Sequence, residues 1–144
     1  MKKIIFFILF MFPFYIFSEL IKEDRKIDEY GIPLKFINGY EIDLNLDKKI
    51  DMVIYVQIGE KYTLIAMLNK GEKYEGYILN ESERLGRFFT DWQNEVTSTE
   101  AGPGQNNAKT YKIPGPCIVF SILEVSSVVY YWDKGKFNEI WTSD

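Results

Sequence analysis

The chain reads as a mainly β protein: an antiparallel meander of about seven or eight strands, folded as a small sandwich or an open, barrel-like sheet. Three observations predict this. Short runs of β-branched and aromatic residues alternate with a period of two. Turns rich in Gly, Asn and Asp separate them at close intervals. Beyond its first residues, the chain holds no strong three-turn amphipathic helix pattern.

The start reads as an address. Met1-Lys2-Lys3 is a short basic stretch, Ile4 to Phe17 is apolar throughout, and Ser18-Glu19 ends the run. This is the layout of a secretory signal peptide, predicted over residues 1–18. A spanning helix needs about 20 apolar residues, and Pro13 interrupts this run, so no stable membrane span is expected once the signal is removed. The expected location is secreted or periplasmic, in a bacterial envelope. Residues 19–144 then form a single β-rich domain. Ile21 to Tyr30 is the one further helix candidate, closed by Gly31-Ile32-Pro33.

Asp51 to Ile58 and Lys61 to Leu68 are alternating runs separated by Gly59-Glu60, which predicts a hairpin. Met52, Ile54, Val56 and Ile58 share one face of the first strand, and Tyr62, Leu64, Ala66 and Leu68 share one face of the second. Asn69 to Glu72 is a turn, and Lys73 to Leu79 is a third strand. Asn80 to Arg84 has the capping pattern of one helical turn, with Phe88, Phe89 and Trp92 expected to anchor the segment to the core. Glu100 to Lys109 is expected to be a surface loop. After Pro114-Gly115-Pro116, strands are expected over Cys117 to Leu123, Ser127 to Trp132 and Phe137 to Thr142, the last two joined by Asp133-Lys134-Gly135-Lys136.

Composition excludes several chemistries. The chain has no histidine, which removes His-based triads and His-ligated metals. Its one cysteine, Cys117, allows no intramolecular disulfide and is expected as a buried small hydrophobe in a strand. The net charge is −4, and loss of Lys2 and Lys3 with the signal takes it to −6, which argues against nucleic acid as a partner. Ser126 and Ser127 have no histidine to activate them, and the acidic pairs lie in polar segments. The expected protein is therefore not an enzyme.

One motif carries chemistry. Asp43-Leu44-Asn45-Leu46-Asp47-Lys48-Lys49-Ile50-Asp51 sets acidic or amide oxygens at positions 1, 3, 5 and 9, with the Lys49 carbonyl at position 7. Calcium takes six to eight hard oxygen ligands, and such a loop converges them. The apolar Ile50 suits the residue that plugs the loop into the core. This spacing resembles the calcium loop of FG-GAP and VCBS-type repeats, Asp-x-Asn-Gly-Asp-Gly-x-x-Asp before a strand. The ending Tyr130 to Phe137 also resembles that of small exported bacterial proteins of unassigned function that carry the loop. The resemblance implies a structural calcium held by Asp43, Asn45, Asp47, Lys49 and Asp51. Leu46 and Lys48, however, stand where the family prefers glycine, and two lysines adjoin the acids. The loop is thus expected to be degenerate, keeping its shape while lysine ammonium groups neutralise the carboxylates.

Tyr130 and Trp132 share one face of a strand and are the candidate binding aromatics, for a protein or a glycan. The expected function is an exported, non-enzymatic binding domain at the envelope. The alternative is a secreted inhibitor of a hydrolase such as lysozyme, since an acidic domain is steered toward a basic enzyme.

Overall fold

The computed structural model describes Lys3–Ile4 and residues 34–98 and 108–142. The predicted signal peptide apart from Lys3–Ile4, the helix candidate over 21–30, and most of the Glu100 to Lys109 loop lie outside the described residues.

The described chain is all β, in antiparallel sheets, with ten strands between Leu34 and Thr142 rather than seven or eight. It divides into two compact units, Met1–Glu41 with Lys49–Arg84, and Ile42–Lys48 with Leu85–Asp144.

The first unit contains β1 (Lys3–Ile4), β2 (Leu34–Ile42, whose last residue belongs to the second unit), β3 (Asp51–Ile58), β4 (Lys61–Asn69) and β5 (Tyr74–Ser82). Their order in the sheet is β1-β5-β4-β3-β2, a meander of sequence neighbours with β1 at the far edge. The β3–β4 hairpin forms as expected. Gly59, at φ 61°, supplies the left-handed residue of its two-residue turn. That turn length pairs Ile58 with Lys61, so even-numbered residues of β3 lie beside odd-numbered residues of β4. The two predicted faces consequently lie on opposite sides of the sheet. Met52 and Val56 pack with Ile65 and Met67, and with Phe36, Ile54, Ile58, Tyr74 and Ile78 around them. On the other side Val53, Tyr55, Leu64, Ala66 and Leu68 are buried as well. Fully burying a side chain of this kind contributes about 1.5–3 kcal/mol.

The expected helical turn at Asn80 to Arg84 does not form. β5 stays paired with β4 through Tyr62 and Ser82, accommodated by a bulge between Leu64 and Ile65. The ladder takes the backbone groups that a helical turn would have used. Beyond it the Ser82 hydroxyl accepts from the Arg84 N–H at 3.0 Å.

The second unit contains β6 (Arg87–Asp91), β7 (Glu95–Ser98), β8 (Lys109–Lys112), β9 (Cys117–Ile122), β10 (Ser126–Asp133) and β11 (Lys136–Thr142). One sheet runs β11-β10-β9-β6, and β7 and β8 form a separate hairpin that the sequence did not announce. Lys134 and Gly135, at φ 51° and 80°, turn the β10–β11 hairpin with two left-handed residues, which matches the twist of the flanking strands. One side of the sheet gathers Cys117, Val129 and Ile140 with Val96 and Ile113. The other side buries Phe88, Ile118, Phe120, Val128, Tyr130 and Phe137. Phe88 is the anchor expected of its segment. Phe89 and Trp92 are not, being 48 % and 64 % exposed. Phe89 follows Phe88 on the strand and so points to the opposite side.

Candidate functional site

The motif at Asp43 folds into a tight turn whose own side chains close it. Asp43 Oδ1 accepts from the Asp47 N–H at 3.1 Å, and Oδ2 accepts from the Lys48 N–H at 2.8 Å. Asn45 Oδ1 also accepts from the Asp47 N–H, at 3.1 Å. Leu46 and Lys48 take φ 59° and 66°, the left-handed conformation for which the resembling loop uses glycine. Both residues carry a Cβ into left-handed backbone, at a cost of about 1–2 kcal/mol each. The buried plug is Leu44, not Ile50, which is exposed because it precedes the inward-facing Asp51 on an extended chain. Leu46 lies against Gly115, where an added Cβ would meet Leu46 Cδ1 at 3.1 Å.

The five residues of the motif divide between the units. Asp43, Asn45 and Asp47 belong to the second unit, Lys49 and Asp51 to the first. Asp51 is wholly buried, and its Oδ1 accepts from the Asn69 N–H at 2.7 Å. Asn69 in turn donates through Nδ2 to the Ile50 carbonyl at 3.3 Å, and its Oδ1 accepts from the Gly71 N–H at 2.8 Å. Asp51 thus ties the start of β3 to the end of β4. Its charge is felt nearby: the Tyr74 hydroxyl is pushed above its ordinary pKa by burial, then by Asp51, then by Glu41. Among the described residues, no three of Asp, Glu and Cys gather closely enough to hold a metal ion.

Lys48→Gly is expected to stabilise the protein by about 0.5–1 kcal/mol. Relief of left-handed strain exceeds the added entropy of the unfolded glycine chain. A rise in the urea midpoint at unchanged slope is the measurement.

The two candidate binding aromatics differ in exposure. Tyr130 is 1 % exposed, and Trp132 is half-buried, edge-on to Phe137 with ring centroids 5.0 Å apart. Cys117 is a fully buried member of the second unit's core. Burial pushes its thiol above the ordinary pKa, opposed by the Gln93 backbone and reinforced by the Asp91 carboxylate. An inert packing role follows.

Much of the exposed apolar surface lies elsewhere on the second unit. Leu85, Phe89, Trp92, Leu123 and Val125 are exposed large hydrophobics on β6, its flanks or the β9–β10 turn. The pairing of Arg87 with Ser121 brings the start of β6 to the turn end of β9. Leu85 therefore approaches the turn that carries Leu123 and Val125, while Trp92 follows the other end of β6. Periodicity missed this surface because it marks an apolar residue in a strand as buried. The signal available was the doublet Phe88-Phe89, of which a strand can bury only one on a given face.

No family model matches the chain, and no curated protein or solved structure matches it.

Proposed function

We propose that this protein is an exported, non-enzymatic domain of the bacterial envelope that acts by binding another molecule, a protein surface before a glycan. The observation that carries the reading is the aliphatic group Leu85, Leu123 and Val125, exposed by 58 %, 82 % and 53 % at one end of the second unit. Clustered apolar side chains on a surface are a common mark of an interaction site. The apolar run from Ile4 to Phe17 supports export. In this reading the Asp43–Asp51 loop is a structural turn, held by its own carboxylate-to-backbone hydrogen bonds and independent of calcium.

The test is binding of wild type, Leu85→Asp and Leu123→Asp to purified envelope proteins, peptidoglycan fragments and lysozyme. Saturable binding to a protein that both substitutions weaken by about tenfold or more is the expected result, since a desolvated aliphatic contact of this size is worth about 1.5–3 kcal/mol. Binding that ignores both substitutions overturns the site. Inhibition of lysozyme by the wild type moves the reading to the secreted inhibitor. Thermal unfolding in excess calcium and in excess chelator tests the loop, and coincident curves are expected. A calcium-dependent rise that Asp47→Ala abolishes restores the ion site.

A further inference from the structure

β6 is an edge strand. Among the described residues its one neighbour in the sheet is β9. The pairing is regular from Arg87 opposite Ser121 to Asp91 opposite Cys117, with no bulge. Proteins commonly blunt an exposed edge by keeping it short or with charged residues, proline or a bulge. The five-residue strand Arg87-Phe88-Phe89-Thr90-Asp91 has no proline and no bulge; its two charges, Arg87 and Asp91, are of opposite sign, and Phe89 between them is 48 % exposed.

We infer that the β6 edge pairs antiparallel with β6 of a second copy of this chain, about a two-fold axis at Phe89. The strand is self-complementary about that residue. With Phe89 opposite Phe89, Arg87 of each copy stands opposite Asp91 of the other, and Phe88 stands opposite Thr90. Residues 87, 89 and 91 alternate with 88 and 90, so two ion pairs flank an aromatic pair on one face. A slip of one residue sets Phe89 on the wrong face, and a slip of two leaves a charge opposite phenylalanine. One register therefore satisfies all three pairs.

The surroundings accommodate the partner strand. Asp91 already accepts from the Trp92 N–H at 2.7 Å and from Gln93 Nε2 at 3.1 Å, and a carboxylate has lone pairs for a further donor. One residue beyond each strand end, the same register sets Trp92, 64 % exposed, opposite Gly86 of the second copy, which has no side chain to compete for the space. The result is an isologous dimer in which the four-stranded sheet continues as eight strands across the two copies.

Sedimentation of the protein as recovered from the producing cell, over a range of concentrations, tests the dimer. The wild type is expected to show a concentration-dependent monomer–dimer equilibrium. Arg87→Asp and Asp91→Arg, each of which turns two attractions into repulsions, are each expected to raise the dissociation constant at least about tenfold. The double exchange R87D/D91R is expected to return it to within a few-fold of wild type, an outcome that misfolding cannot imitate. Phe89→Cys is expected to cross-link to itself under mild oxidation, because directly opposed residues of an antiparallel pair lie within disulfide reach. Cys117, wholly buried, does not compete. A wild type that is monomeric at every concentration, with no cross-linking of F89C, overturns the inference. So does a dimer that neither charge reversal weakens, or a monomer whose β6 edge takes up an unrelated strand at Phe89. Leu123→Asp, at a residue that follows β9 rather than lying along the β6 edge, keeps the binding assay distinct from these results.

Discussion

Asp51→Ala is expected to lower stability by about 2–3 kcal/mol, among the largest effects of any single polar substitution in the chain. The carboxylate is wholly buried and accepts from the Asn69 N–H at 2.7 Å. Alanine leaves that donor without its partner at the join of β3 and β4, and a hydrogen bond to a charged group is among the stronger ones. Asp51→Asn keeps an acceptor of the same shape and is expected to cost about half as much. Urea unfolding measures both. The comparison also separates the two roles open to Asp51. A structural role gives the same loss in calcium and in chelator, whereas an ion ligand gives a loss that appears only in calcium. A loss below about 0.5 kcal/mol in both media would mean that the buried hydrogen bond is readily replaced.

Gly86→Ala is expected to cost about 1–3 kcal/mol, although it adds one methyl group at a position with no left-handed requirement. A Cβ there would meet Phe120 Cζ at 2.5 Å, Phe120 Cε2 at 2.7 Å and the Ser121 carbonyl at 2.9 Å. The Phe120 ring is itself buried and paired through its strand with Phe88 and Val128, so it has little room to withdraw. Phe120→Leu in the same background shortens the side chain and is expected to recover part of the loss. The double substitution should therefore cost less than the sum of the singles. Additive losses would place the strain on the Ser121 carbonyl instead. Because β6 begins one residue later, the same variant should loosen the edge strand on which the dimer depends.

The strand pattern was legible because it rests on local chemistry. Asp51 to Ile58 and Lys61 to Leu68 needed only alternation and a Gly-led two-residue turn, β4 running one residue further to Asn69, and Asp133 to Lys136 needed only a Gly to admit left-handed backbone. The turn at Asp43 was legible for a related reason. Its carboxylate and amide accept from backbone N–H groups two to five residues away, which no distant contact is needed to arrange. Leu46 and Lys48 hold left-handed backbone without being glycine. The pattern at Asn80 does not become a helical turn because capping signals are short-range, while pairing with Leu64, Thr63 and Tyr62 of β4 holds Asn80 to Ser82 extended.

By itself, then, the sequence determined where the chain is extended, where it turns and, through the two-residue length of the Gly59-Glu60 turn, which residues of β3 and β4 face the same way. Those are consequences of backbone geometry and nearest neighbours. Only the tertiary structure decided which of two apolar candidates enters a core: Phe88 rather than Phe89, Leu44 rather than Ile50, Tyr130 within the sheet rather than on its surface. It alone turned Asp51 from the last position of a loop into the acceptor for a residue on another strand. The reason is physical. Hydrophobicity makes burial favourable without direction, and where more apolar side chains exist than one face can cover, the choice belongs to the strands that happen to lie across it.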